Sequence, residues 1–145
     1  MAAGNVICYM EAQIATYLQS INWASNTFVA SLVSAGYTPN YTSHSLYSSD
    51  VVAYILTTSG YAEKTLGSVV LNRYSHSQAR FDSDDTTFSA SSTMTAKYCV
   101  VRHATTGRPV CYVDLETTAS TGIDATQIIV QWNAAGLFNV KHSGT

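Results

Sequence analysis

Apolar side chains recur at helical spacing near the start of the chain. Between Tyr9 and Ile21 they follow one another at intervals of three and four residues, the repeat of one face of an α-helix. The spacing predicts an amphipathic N-terminal helix that docks on a sheet through a single apolar face, formed by Met10, Ile14, Tyr17, Leu18 and Ile21. Asn22 and the Ser25-Asn26 pair end this pattern.

The next segment changes from helical to extended patterning. Residues 27–33 form a compact run of β-branched, aromatic and apolar side chains, which predicts a central strand. Residues 36–40 predict a turn, because Pro39 fixes its own φ and favours extended geometry at the residue before it. Ser43 or Ser45 is then placed to cap a short helical segment through Leu46 and Asp50.

From residue 66 onward the chain alternates short runs rich in Val, Ile, Tyr, Thr and Phe with clusters of Gly, Ser, Asn and Asp. This pattern is typical of antiparallel strands, and it places them at residues 66–74, 78–82, 95–103, 109–116, 127–132 and 137–141. Short loops at residues 75–77, 104–107 and 133–136 predict hairpins, while residues 117–122 predict a longer hydroxyl-rich loop. In the run 127–132, Ile128, Val130 and Trp132 are expected on the buried face.

These elements predict a mainly β fold in a single domain. The expected architecture is an antiparallel β-sandwich or barrel-like domain with one N-terminal helix. Within residues 1–145, a helical arm spans residues 1–26 and the β-domain spans residues 27–145.

Composition narrows the classes of partner. Charged residues make up only 11% of the 145 residues, whereas 18 Ser and 18 Thr make the surface polar rather than ionic. A net charge of −2 argues against nucleic acid as a partner, since such proteins neutralise phosphates with basic patches. With no run of 18 apolar residues and no basic, apolar leader, the sequence predicts neither a membrane span nor a secretory signal.

The three cysteines are expected to be free, buried thiols. Cys8, Cys99 and Cys111 show no Cys-x-x-Cys spacing of a zinc or redox site, and Cys commonly packs as a small apolar side chain. Cys99 and Cys111 fall on two runs joined by a short turn, so a disulfide across that hairpin stays open as the alternative.

The sequence predicts no enzyme, no cofactor and no metal. His44, His76, His103 and His142 are scattered without metal-ligand spacing, and the Asp82–Asp85 cluster is expected to form a turn rather than a calcium loop. No nucleophile motif, phosphate loop or dinucleotide motif occurs.

Four tyrosines are the candidate partner-binding residues. Tyr37, Tyr41, Tyr47 and Tyr61 lie in a loop-rich stretch between residues 27 and 62 whose only charged residue is Asp50. A partner can cover such a surface without desolvating many ions.

The chain resembles small structural proteins of tailed bacteriophages. The resemblance spans roughly residues 27–140 and rests on 27–33 (TFVASLV), 37–40 (YTPN) with His44, 60–61 (GY), 81–85 (FDSDD), 87–91 (TFSAS), 96–98 (AKY) and 129–138 (IVQWNAAGLF). The first 26 residues and residues 50–59 depart from it. It implies a virion component made in the host bacterial cytoplasm, and some members of this size are capsid decoration, or cement, proteins.

The leading hypothesis is therefore a non-enzymatic protein of the virion capsid surface. It binds the major capsid protein and bridges neighbouring subunits as a homo-oligomer, with a trimer as the expected order. Two alternatives remain: a structural protein of the tail or the head-to-tail joint, and a module that holds a host glycan with the four tyrosines.

Overall fold

The computed structural model describes residues 4–75, 78–132 and 138–141. These residues form ten strands, two short α-helices and one 3-10 turn. In chain order they are β1 (Ile7–Cys8), α1 (Met10–Tyr17), β2 (Phe28–Val33), α2 (Tyr47–Asp50), the 3-10 turn (Val52–Tyr54), β3 (Lys64–Thr65), β4 (Val70–Ser75), β5 (Gln78–Asp82), β6 (Thr86–Ala96), β7 (Tyr98–His103), β8 (Pro109–Asp114), β9 (Ile123–Val130) and β10 (Phe138–Lys141).

A five-stranded antiparallel sheet lies at the centre of the fold. Its strand order is β1-β8-β7-β2-β3, so the first strand of the chain pairs with the eighth. β7 and β8 form the expected hairpin around residues 104–107, where Gly107 adopts a φ of +66° and donates its N–H to the carbonyl of His103 at 3.0 Å. Two other hairpin loops were predicted, at residues 75–77 and 133–136. Residues 76–77 of the first and all of the second lie outside the described residues.

The main core lies on one face of this sheet. There the central strands pack against the β6–β9 pair and the smaller β10-β5-β4 sheet, as in a β-sandwich. Phe28 of β2 stacks on Trp23 at 5.2 Å and meets Phe81 of β5 edge-on at the same distance. Ile128 and Val130 point into this core as predicted. The prediction of a mainly β, antiparallel fold with an N-terminal helix is confirmed.

A second, smaller core lies on the opposite face of the same sheet. The segment between β2 and β3 folds back over this face, and its apolar side chains pack on Val33, Val100 and Tyr112. α2, inside this segment, begins without a serine cap: the Asp50 carboxylate instead accepts the backbone N–H groups of Ser45 and Leu46 at 2.9 and 3.0 Å. The predicted capping by Ser43 or Ser45 is therefore wrong, because the side-chain acceptor at the start of α2 is the carboxylate of Asp50, a residue of the helix itself.

The extent of the longest strand, β6, and the break that follows it differ from the pattern predicted from the sequence. Residues 95–103 are not one strand: β6 ends at Ala96, β7 begins at Tyr98, and the two belong to different sheets. The corner between them is Lys97, a buried lysine that forms an ion pair with Asp114 at 3.0 Å and donates to the carbonyl of Ala119 at 2.9 Å. These partners satisfy a charge that would otherwise be costly to bury.

The N-terminal helix packs with the opposite face from the one predicted. Its buried residues are Ala12 and Ala15, whereas Met10, Ile14, Tyr17 and Leu18 are exposed at 46, 43, 84 and 74%. Of the predicted apolar face, only Ile21 is buried, and it lies beyond the end of the helix. Alanines let the helix backbone approach β8 and Trp23 more closely than long side chains would, which explains the choice of face.

The cysteines are free, as expected. The alternative disulfide between Cys99 and Cys111 does not form, because the β7–β8 register sets Cys99 opposite Val113 and Cys111 opposite Val101. Cys111 faces Cys8 across β1 and β8 instead.

The packing of α1 gives a direct test by substitution. Ala15→Leu adds volume to a filled contact and is expected to lower the free energy of unfolding by about 1–3 kcal/mol. Ile14→Ser, on the exposed face, is expected to change it by no more than about 0.5 kcal/mol. Urea denaturation of the two variants beside the wild type measures both values. A large loss for Ile14→Ser with none for Ala15→Leu would restore the orientation predicted from the sequence.

Candidate interaction surface

The four tyrosines predicted to bind a partner occupy very different places. Tyr37 and Tyr47 are 1 and 5% exposed, Tyr61 is half-buried, and Tyr41 is 49% exposed. The expected four-tyrosine surface is therefore wrong for Tyr37 and Tyr47, whose rings belong to the second core. That burial also removes them from any platform for stacking sugars. Partner binding by Tyr41 stays a prediction.

Tyr37 and Tyr61 each contribute a buried polar contact. The Tyr37 hydroxyl is 2.5 Å from the hydroxyl of Tyr9 and 2.9 Å from Nδ1 of His44. Burial raises the pKa of Tyr37 to about 12, so its hydroxyl is neutral at pH 7. The Tyr61 hydroxyl accepts the backbone N–H of Leu32 at 2.7 Å, and its ring stacks on Phe88.

Tyr47 belongs to a cluster of polar side chains that fixes the covering segment to the sheet. The cluster consists of Ser31, Tyr47, Glu63 and Arg102. The Glu63 carboxylate accepts hydrogen bonds from the hydroxyls of Ser31 and Tyr47, the latter at 2.7 Å, and forms an ion pair with the Arg102 guanidinium at 3.2 Å. That guanidinium also lies over the Tyr47 ring at 4.9 Å.

Burial and hydrogen bonding oppose each other at Glu63. Burial acts to raise the pKa of its carboxyl, but hydrogen bonds from Ser31 and Tyr47, together with the Arg102 charge, outweigh it and hold the pKa below its usual value. Glu63 is therefore ionised at neutral pH, and the cluster carries a complete ion pair.

The surface that stands out is the outer side of α1. Met10, Ile14, Tyr17 and Leu18 follow one another at intervals of four, three and one, so their side chains share one side of the helix, opposite the buried alanines. The backbone N–H of Met10 donates to the carbonyl of Tyr41 at 2.8 Å, which brings the exposed Tyr41 next to the start of the helix. We call these five side chains the apolar face.

The apolar face is large and uncharged. From the exposed fractions and the usual areas of such side chains, it presents on the order of 600 Å². This lies at the upper end of the roughly 300–600 Å² of the largest apolar patch on a typical monomer, and such patches are often functional. The charged residue of α1, Glu11, lies to one side and forms an ion pair with Arg108 at 3.0 Å.

The apolar face is held in place from beneath. Thr16 accepts the Trp23 indole N–H at 2.8 Å and donates to the carbonyl of Ala12 at 2.7 Å, so α1 and the Trp23 region are linked. Trp23 in turn stacks on Phe28 of the central sheet. These contacts fix α1 before anything binds to it, so binding at this helix would cost the helix little conformational entropy.

His103 and the acidic turn at Asp82–Asp85 make hydrogen bonds within the fold. His103 is buried, with its Nδ1 2.7 Å from the Thr106 hydroxyl, and burial lowers its pKa. In the predicted acidic turn, Asp84 accepts from Ser68 at 2.6 Å and Asp85 accepts the backbone N–H of Trp132 at 3.1 Å. Among the described residues, no three His, Cys, Asp or Glu side chains are grouped to hold a metal ion.

No helix within residues 4–75, 78–132 and 138–141 has the length and apolarity needed to span a membrane. Comparison of the chain with protein-family models, with curated proteins and with solved structures finds no match in any of the three.

The Glu63 cluster predicts how stability depends on pH. Because its folded pKa lies below the unfolded value near 4.5, Glu63 stabilises the fold above that pH and loses this contribution as the pH falls through the folded pKa. Glu63→Gln is expected to lower the free energy of unfolding at pH 7 by about 1–3 kcal/mol and to flatten its decline below pH 5. Urea denaturation at several pH values measures both effects, with Asp124→Asn, at an exposed carboxylate on β9, as the control. An unchanged pH profile in Glu63→Gln would contradict this assignment.

Proposed function

We propose that the protein is a non-enzymatic structural component of a bacteriophage virion that binds the outer surface of the assembled capsid and bridges neighbouring subunits. Its partner is the major capsid protein, and its contact surface is the apolar face on α1 and Tyr41. Support comes from the resemblance of residues 27–140 to small phage structural proteins and from the character of this surface.

The exposed apolar face is the observation that carries the proposal. Its roughly 600 Å² approaches the ~800 Å² that each partner contributes to a standard protein interface. Tyr17 and Tyr41 supply the aromatic area that dominates many such contacts, and no charged side chain needs to be desolvated in the middle.

A repeated shell suits a surface of this kind. Each contact can be modest, because copies joined in one oligomer meet many identical sites at high effective concentration. Since the apolar face carries no charge, binding is expected to depend little on salt, unlike an interface between oppositely charged patches.

The proposal predicts that a charge placed on the apolar face prevents capsid binding. Ile14→Glu keeps a good helix former at an exposed position, so the fold is retained, but docking would bury an unpaired carboxylate. We expect at least a tenfold loss of binding to capsids assembled without this protein, measured by co-sedimentation.

Ile129→Glu is the matched control for this experiment. Ile129 is also exposed, at 46%, but lies on β9 rather than on the apolar face, so this variant should bind as the wild type does. Equal binding of all three proteins would reject the apolar face as the contact. A count of copies in purified virions tests the location: hundreds fit a capsid surface, whereas about six or twelve would indicate a joint or tail ring instead.

Self-association is the second part of the bridging proposal. Light scattering at increasing concentration should give the mass of an oligomer, two or more times the 15.6 kDa of one chain. Ile14→Glu should keep that mass while it loses capsid binding. A monomer at every concentration would overturn bridging by a preformed oligomer. Loss of the oligomer in Ile14→Glu would reassign the apolar face from the capsid to a second copy of this chain.

A further inference from the structure

Two of the three cysteines face each other across the edge of the central sheet. In the β1–β8 pair, Cys8 lies directly opposite Cys111, so their side chains point to the same face. The next residue, Tyr9, donates its backbone N–H to the carbonyl of Val110 at 2.9 Å. This bond places Cys8 and Cys111 at a non-hydrogen-bonded position of the ladder, where opposite Cα atoms lie about 4.5 Å apart.

That spacing is within the range that a disulfide requires. Disulfide-linked residues have Cα atoms roughly 4.4–6.8 Å apart and side chains that approach each other. Both thiols point toward the main core, where Cys111 is fully buried and Cys8 is partly buried against the same cluster. The pairing of the two strands is therefore compatible with a disulfide between the two residues.

Cys99 provides an internal comparison. It is as buried as Cys111, but the residues opposite it are Val113 on β8 and Leu32 on β2. The sheet thus offers a cross-strand partner to Cys8 and Cys111 and none to the third thiol.

We propose that Cys8 and Cys111 form an intramolecular disulfide when the folded protein meets a disulfide oxidant such as oxidised glutathione. The Cys8 thiolate attacks one sulfur of the oxidant and releases one reduced thiol. Cys111, after losing its own proton, attacks the Cys8 sulfur of the mixed disulfide and releases the second. The protein loses two hydrogen atoms, and the oxidant is reduced to two thiols. This inference does not depend on the proposed function.

The surroundings of the two thiols make the reaction slow. Burial raises the pKa of Cys8 to about 12 and that of Cys111 well above its ordinary value, so little thiolate is present at neutral pH. Cys8 is only partly exposed, and it lies on β1, a two-residue strand at the edge of the sheet whose local opening would expose it further. The pair therefore stays reduced in a cytoplasm and is oxidised gradually in an oxidising exterior.

The test treats the folded protein with oxidised glutathione between pH 7 and 9, stops the reaction with acid, unfolds the protein in urea and then counts free thiols with a maleimide by mass spectrometry. We expect the count to fall from three to one, with the linked peptides containing Cys8 and Cys111. The rate should rise about tenfold per pH unit, as the thiolate fraction does. Because the bond closes a loop of 103 residues, Tm should rise by on the order of 10 °C, and dithiothreitol should reverse the rise.

Three variants complete the experiment. Cys99→Ser should still form the bond and end with no free thiol. Cys8→Ser should keep both remaining thiols, Cys111→Ser should stop at a glutathione adduct on Cys8, and neither of these two variants should show the rise in Tm. Cys8→Ser changes only a partly buried edge position, so it stays informative if Cys111→Ser fails to fold. The proposal is overturned if the wild type keeps three thiols, stops at a glutathione adduct on Cys8, or links Cys99 to Cys111.

Discussion

The fold depends on covering both faces of one five-stranded sheet. Its central strands carry apolar side chains on each side, so neither face can be left to solvent. Regular strands cover one face, but the other is covered by a segment with only four helical residues in α2 and one 3-10 turn. Such a segment has turns but no continuous ladder of its own. Backbone hydrogen bonds to the sheet, such as that from the Leu56 N–H to the Leu32 carbonyl at 3.1 Å, and specific side-chain contacts together hold it in place.

Glu63 and its three partners supply much of that attachment. The covering segment contributes Tyr47 and the carboxylate, while the sheet contributes Ser31 and Arg102. A partly buried ion pair adds little stability over an apolar contact of the same size. Its role here is to fix the position of the covering segment on the sheet. It selects one arrangement of a segment that apolar packing alone would leave poorly defined, and that segment carries Tyr41 to the apolar face.

Much of the sheet structure was predictable, and the errors have physical causes. Strands β2 and β8 were predictable because their runs of β-branched and aromatic residues end at turn residues. The full extent of β6 was not predictable because most of it is Ser and Thr, so the strand lacks the alternation of apolar and polar side chains that would distinguish it from a loop. At the break between β6 and β7, Lys97 contacts the Asp114 carboxylate and the carbonyls of Glu116 and Ala119. These partners lie too far along the chain for a local sequence pattern to indicate them.

The candidate surface was harder to predict than the fold. Low charge between residues 27 and 62 predicted a partner surface there, but Tyr37 and Tyr47 are buried and make hydrogen bonds with partners distant in sequence. On α1, periodicity located the apolar stripe and could not say which way it points. The small residues Ala12 and Ala15 on the other side were the available indication, because a close helix contact favours small side chains.

The pairing of β1 with β8 also sets the order in which the protein can assemble as it is made. β1 has no partner until residues 111–112 have left the ribosome. A contact this distant in sequence forms late, because closing the long intervening loop costs entropy before the contact adds any stability. Until β8 has been made, α1 has no strand to pack against, so its apolar face takes its final position only after that pairing.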